Sequence, residues 1–470
     1  MPDTDLLRLP ASAAAALIRR RRLSPVEYVD AVLAAVEATQ KTLNAFATVT
    51  AEQARAAARA AEQAVMDGRP LGPLHGVPIN IKDLFATAGV RTAYGSAIHA
   101  GNVPDADDVL VSRVRAAGAI MIGKSTTPEF GHKGLTDSPA HGITRNPWNL
   151  VRTSGGSSGG AAAAVAAGLG PLGLGTDGAG SIRIPAAACG IVGLKPTTGA
   201  VPYEQAVDSF NNYAAAGPLT RTIGDAALLM DVLGGAAAID PWSLGAPPLG
   251  RVRPRLTSDD LAGLRIGVIE RMSNTTLADD VGANTRAALG ELAAAGAEVE
   301  DVTDAIDWIP EAARIMYFGN IHVSFGGYVE KWRARMDPVL VDYIARGATF
   351  GLADYRRAQM ARSRLFRAIQ HLFERYDFLA TPSLTTTAPA ADPAAHADGA
   401  SIMQGWNAYL YPFNQTGHPA LSVPSGSGAD GLPTGIQLVG PWWADADVLR
   451  LGAVLERARP WADRWPPAPG

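Results

Sequence analysis

The spacing of hydrophobic positions changes along this chain, and each change predicts an element. Ser24, Pro25 and Glu27 stand where an N-cap, the first helical position and a capping-box glutamate belong, so a helix begins at 25. Residues 51–66, rich in Ala, Glu, Gln and Arg, predict a second helix. Residues 77–81 alternate too little for a half-exposed strand and predict a buried one. Asp107 and Asp108 open a helix through Ala117, and residues 119–122 form a short apolar strand. Residues 159–167 predict a helix of small side chains, followed by a turn at 168–171 and an apolar strand to Gly175. Strand and helix in alternation predict an α/β sheet covered by helices.

Beyond residue 240 the pattern shifts. Ala246, Pro247, Pro248 and Pro254 mark a loop, residues 264–269 a strand, and residues 280–375 mostly helices. Residues 382–399, rich in Pro, Ala and Thr, predict a long loop; strands return at 420–423 and 435–439, before a last helix at 445–457. No repeat with a period of about 20–50 residues is present, so the chain is no solenoid. Length alone allows three domains at about 150 residues each. The pattern instead predicts one domain over 1–470: N-terminal helices at 1–68, a core at 70–230, a mainly helical insertion at 240–375, and the rest of the core at 376–470.

Composition narrows the classes. Lys plus Arg is 41 against 45 for Asp plus Glu, a net charge of −4, so a nucleic-acid backbone is not the expected partner. Hydrophobic residues at 47% against 18% charged exclude a disordered chain. The single Cys189 excludes an intrachain disulfide framework. Asp3 and Asp5 precede the apolar stretch at 13–18 and Arg19 to Arg22 follow it, the reverse of a secretory signal. Residues 153–176 carry few large aliphatics (Val165, Leu169, Leu172, Leu174), whereas a membrane span needs about 20 mostly apolar residues. A cytoplasmic protein without membrane contact, as monomer or homodimer, is expected.

Two motifs mislead. Gly118, Gly123, Lys124 and Ser125 satisfy the phosphate-loop pattern, but the residues between the glycines are a buried-strand sequence and Pro128 stops any following helix. Gly156, Ser158 and Gly160 satisfy GxSxG, which makes Ser158 a candidate nucleophile with His418 as base. That elbow requires an apolar strand before it, and residues 145–155 read as a loop. No histidine pair sits at helical i, i+4 spacing, so no metal site is expected.

Residues 155–197, GGSSGGAAAAVAAGLGPLGLGTDGAGSIRIPAAACGIVGLKPT, are the informative stretch. A flexible linker would lack the alanine run and the apolar strand. This stretch resembles the amidase signature family of serine hydrolases. Residues 76–83 (GVPINIKD) resemble the family's lysine segment, and residues 413–420 (FNQTGHPA) with 431–433 (GLP) its C-terminal part. The resemblance implies the amidase signature fold, a central mixed β-sheet covered by helices on both faces. It also implies a Ser–Ser–Lys triad in which Ser181 is the nucleophile, Ser157 the bridging serine after a cis peptide bond, and Lys82 the base.

The chemistry of these residues agrees with those roles. A serine hydroxyl needs a neighbouring base, and a lysine serves only when burial keeps it neutral. Ile79, Ile81 and Leu84 around Lys82 suit that, and a buried lysine calls for a reason in a chain with six lysines against 35 arginines. Backbone N–H groups of Gly178, Ala179, Gly180 and Ser181 are expected to form the oxyanion hole, with Asp177 and Arg183 supporting the turn. The family commonly has Gly where this chain has Ala179, whose methyl is expected to narrow the hole. Tyr317, Trp406, Tyr409 and Trp442 are expected to make an apolar pocket. No cofactor is required. The implied substrate is a small amide, aryl ester or carbamate; the alternative is the glutaminase subunit of a tRNA amidotransferase.

Overall fold

The computed structural model describes residues 4–467 apart from 207, 248–256, 273, 275, 305, 307 and 393–404. Eleven strands form one mixed sheet. In chain order they are β1 (Phe46–Val49), β2 (Pro78–Lys82), β3 (Ile120–Ser125), β4 (Leu172–Asp177), β5 (Val192–Lys195), β6 (Ala215–Thr220), β7 (Arg265–Val268), β8 (Glu298–Asp301), β9 (Phe378–Pro382), β10 (Ala420–Ser427) and β11 (Pro433–Val439). Across the sheet they run β1-β3-β2-β4-β6-β5-β10-β11-β9-β7-β8. β2 lies parallel to both β3 and β4, which brings the carboxyl ends of β2 and β4 side by side. In open α/β sheets that end is where ligands bind.

Every residue of β2, β4, β5, β6, β9 and β11 is buried. Continuous burial without alternation is what cover on both faces produces. Helix Ala51–Met66 packs on β3, Gly159–Ala166 on β4, Arg183–Cys189 on β5 and β11, and Ile223–Leu233 on β6. The expected elements recur with small changes of boundary. Ser24 caps helix Pro25–Leu43 by accepting from the N–H of Val26 and Glu27, and Asp108 caps Val109–Ala116 by accepting from Leu110.

Three strands depart from the sequence reading, and one of them, Asn149–Thr153, lies in the segment 145–155 read as a loop and pairs with Arg145–Asn146 in a separate two-stranded sheet. β1 lies within the segment expected to be helical and forms an edge of the sheet, and β8 forms the other edge inside the stretch read as helices. Both are four residues long and only partly buried, so neither carries a strong hydrophobic period. Pro248, Pro254 and the end of the loop expected at 382–399 lie outside the described residues. Among the described residues no helix is long and apolar enough to cross a membrane, and no cluster of three or more metal-ligating side chains occurs.

Candidate active site

β2 ends on Lys82, whose side chain is wholly buried. Its Nζ lies 2.7 Å from Ser157 Oγ, 2.9 Å from Ser158 Oγ and 2.8 Å from Thr176 Oγ1. Burial holds its pKa well below the usual lysine value, although the Asp177 carboxylate pulls the other way. Three hydroxyls without a carboxylate in contact surround the nitrogen, an environment that suits an amine better than an ammonium ion. The peptide bond between Gly156 and Ser157 is cis. Ser158 has a different setting: it is fully buried, and its hydroxyl donates to the Thr176 carbonyl at 3.1 Å.

Ser181 follows β4 across the turn 178–180. Arg183 and Asp177 are both fully buried and form a two-pronged ion pair, Nε to Oδ2 at 2.9 Å and Nη2 to Oδ1 at 3.0 Å. Burial would raise the Asp177 carboxyl, but the guanidinium outweighs it and holds the group far below the usual carboxylate range. Asp177 also accepts from the N–H of Gly180 at 2.7 Å and of Ile182 at 3.2 Å. The N–H of Gly180, expected in the oxyanion hole, is thus held by the Asp177 carboxylate. No protein acceptor takes the N–H of Gly178, Ala179 or Ser181 among the described residues. The positive φ of the turn, +105°, falls on Gly180, where a β-carbon would also meet Leu410 Cδ1 at 2.7 Å. Ala179 keeps a negative φ, so its methyl imposes no backbone strain.

Removing one member of this buried pair leaves an uncompensated charge. Arg183→Met is expected to cost about 3–5 kcal/mol of stability, read from the urea midpoint. Because the folded Asp177 titrates below its unfolded value, the pair's contribution is complete above the ordinary aspartate range, declines below it, and is lost only when pH falls through the lowered folded value.

Ser157, Thr176, Gly178, Ala179 and Ser181 all line one cavity of about 420 Å³. Its further walls carry Leu84, Tyr94, Phe130, Tyr213, Tyr317 and Tyr328. Among the described residues Asp208 is the one carboxylate that lines it, and neither lysine nor arginine does. Tyr317 stands in this wall as expected. Trp406 and Tyr409 do not: Trp406 Nε1 donates to the Thr386 carbonyl and Tyr409 donates to the Glu270 carbonyl, each from a buried position. Trp442 likewise donates to the Thr416 carbonyl and packs on Phe366. Trp406 and Tyr409 are core aromatics and Trp442 is half-buried, all three with satisfied polar tips, and nothing in their spacing distinguishes that from a pocket wall.

The misleading motifs are also explained. Gly123, Lys124 and Ser125 continue β3, and Lys124 Nζ is buried and donates to Thr87 and Thr92, so no phosphate loop exists. His418 is buried between Phe366 and Phe373, with its Nδ1 2.8 Å from Thr416 Oγ1.

The model of the Amidase family matches residues 27–449. The chain belongs to the amidase signature family. An acylamidase from Rhodococcus erythropolis is 37% identical over 99% of this chain and 98% of its own. A glutamyl-tRNA(Gln) amidotransferase subunit from Roseiflexus sp. is 36% identical over 99% of both. The crystal structure of a bacterial aryl acylamidase of the amidase signature family superposes with a TM-score of 0.88, at 30% identity over 96% of each chain. As an amidase signature hydrolase, the protein is an enzyme that acts on carbon–nitrogen bonds.

Proposed function

We propose that the enzyme cleaves small, uncharged aryl amides, and with them aryl esters and carbamates, through an acyl-enzyme on Ser181. The observation that carries this reading is the wholly buried Lys82, 2.7 Å from Ser157, at the edge of an aromatic cavity that Ser157 and Ser181 share. A neutral amine has two N–H donors and one lone pair. Ser158 already gives its proton to the Thr176 carbonyl, so it accepts from Lys82, and the lone pair is left for the Ser157 hydroxyl.

Ser181 Oγ adds to the acyl carbon while its proton passes through Ser157 to Lys82 Nζ. The new oxyanion is met by the N–H groups of Gly178, Ala179 and Ser181. The C–N bond breaks as the proton returns through Ser157 to the leaving nitrogen. Water then gives up a proton along the same relay, attacks the acyl carbon and releases the acid and Ser181.

The choice of substrate rests on the charge of the cavity. Glutamine brings an α-carboxylate, which calls for a cation, and among the described residues none lines the wall. A screen of anilides, p-nitrophenyl esters and aryl carbamates with the chain alone is expected to find turnover of all three. Inactivity on all of them, with glutamine hydrolysis only beside partner proteins, would establish the amidotransferase reading instead.

A further inference from the structure

Two groups of rings lie near the Ser157–Ser181 pair. Ala179, from the turn before Ser181, packs in the cluster of Tyr213 and Tyr411, and Tyr317 joins that cluster to the rings around Phe130. Next to Ser157, a β-carbon at Gly131 would stand 3.3 Å from Ser157 Oγ, so the segment carrying Phe130 abuts the bridging serine. Phe130 stacks on Phe325 with centroids 4.3 Å apart and planes 12° apart, and lies parallel to Tyr328 at 6.0 Å. His99 meets Tyr94, Phe130 and Tyr328 edge-on at 5.3, 5.9 and 5.8 Å. All five rings line the cavity. Phe325 and Tyr328 come from the far end of helix Pro310–Phe325 and the turn after it, almost 200 residues beyond Phe130 in the chain.

We infer that this aromatic wall is the leaving-group subsite and that it takes an aryl amine. The inference rests on the reading above, in which the proton reaches the leaving nitrogen from Ser157; the nitrogen and its substituent must then lie on the Ser157 side. Rings already fixed face to face and edge to face offer another flat ring the same two geometries. They cannot reshape around a branched alkyl group without breaking their own contacts. No charged side chain stands in the wall, which suits an amine that departs neutral. Burial also pushes the His99 imidazole below its ordinary pKa, which disfavours its charged form.

The test separates the two halves of the reaction, because the leaving group is gone once the acyl-enzyme has formed. For an anilide and an N-methyl amide of the same acid, Phe325→Leu is expected to lower the kcat/KM ratio about tenfold, with Tyr328→Leu as an independent second variant. The deacylation rate constant, measured after loading the enzyme with a methyl ester of that acid, is expected to stay within about twofold. In the unaltered enzyme, aniline is expected to inhibit at least about fivefold more tightly than cyclohexanol, a saturated ring of similar size. An unchanged ratio, deacylation that slows in step, or equal inhibition by the two rings would overturn the subsite. Failure of the broader reading looks different: the unaltered enzyme would then turn over neither amide.

Discussion

Ser181→Ala is expected to lower kcat/KM for an aryl amide by at least about 10⁴-fold, because losing a nucleophile removes the acyl-enzyme route altogether. The fold should survive, since Ser181 keeps its place through its backbone: the carbonyl accepts from the Ser158 N–H at 3.1 Å. An unchanged melting temperature beside lost turnover therefore isolates the chemistry. Ser157→Ala is expected to fall between this variant and the parent, because a water molecule can stand in for the missing hydroxyl. Ser158→Ala opens a different defect: it removes an acceptor for Lys82 and a donor to the Thr176 carbonyl, so its first effect is on the setting of the base.

Lys82→Ala is expected to cost about 10²–10⁴-fold in turnover, the usual contribution of a positioned general base. The pH profile carries the sharper information. Burial lowers the Lys82 pKa, so the working amine persists at pH values where an exposed lysine would be charged. As pH falls through that lowered value, Nζ takes up a proton, loses its lone pair, and turnover drops. The residual activity of Lys82→Ala should lack that acid limb. Lys82→Arg should not recover activity, since a guanidinium stays charged throughout and is larger than the space among the three hydroxyls. Near-full activity of Lys82→Arg would make Lys82 an electrostatic prop and require another base.

The parts of the fold visible in the sequence were those with strong local causes. The apolar runs of β2, β3 and β4 and the capping residues Ser24 and Asp108 act on their own neighbourhoods, so their elements could be read directly. β1 and β8 are short, half-exposed edges whose pairing comes from the neighbouring strand. The site divides the same way. Lys82, Ser157 and Ser181 were assigned through the family resemblance of residues 76–83 and 155–197, and the fold brings Lys82 Nζ to 2.7 Å from Ser157 Oγ and puts Ser157 and Ser181 on one cavity. The cavity wall was mostly missed, because Tyr94, His99, Phe130, Tyr213 and Tyr328 meet only through tertiary packing. Phe130 left one usable signal: a large aromatic in the loop just beyond the carboxyl end of β3, beside the strand that carries Lys82. Trp406 and Tyr409 show the converse error, since bulk and polarity alone suit a core equally well. Gly180 is a third case. Its N–H was expected to face the substrate, and only the packing of Asp177 against the turn reveals that the carboxylate holds it.

The most direct test is to locate the covalent adduct left by a fluorophosphonate probe. Intact-mass analysis is expected to show a single modification, and peptide mapping to place it on Ser181, with labelling lost in Ser181→Ala and strongly slowed in Lys82→Ala. An adduct on Ser158, or undiminished labelling of Ser181→Ala, would contradict Ser181 as the nucleophile and the relay built on it.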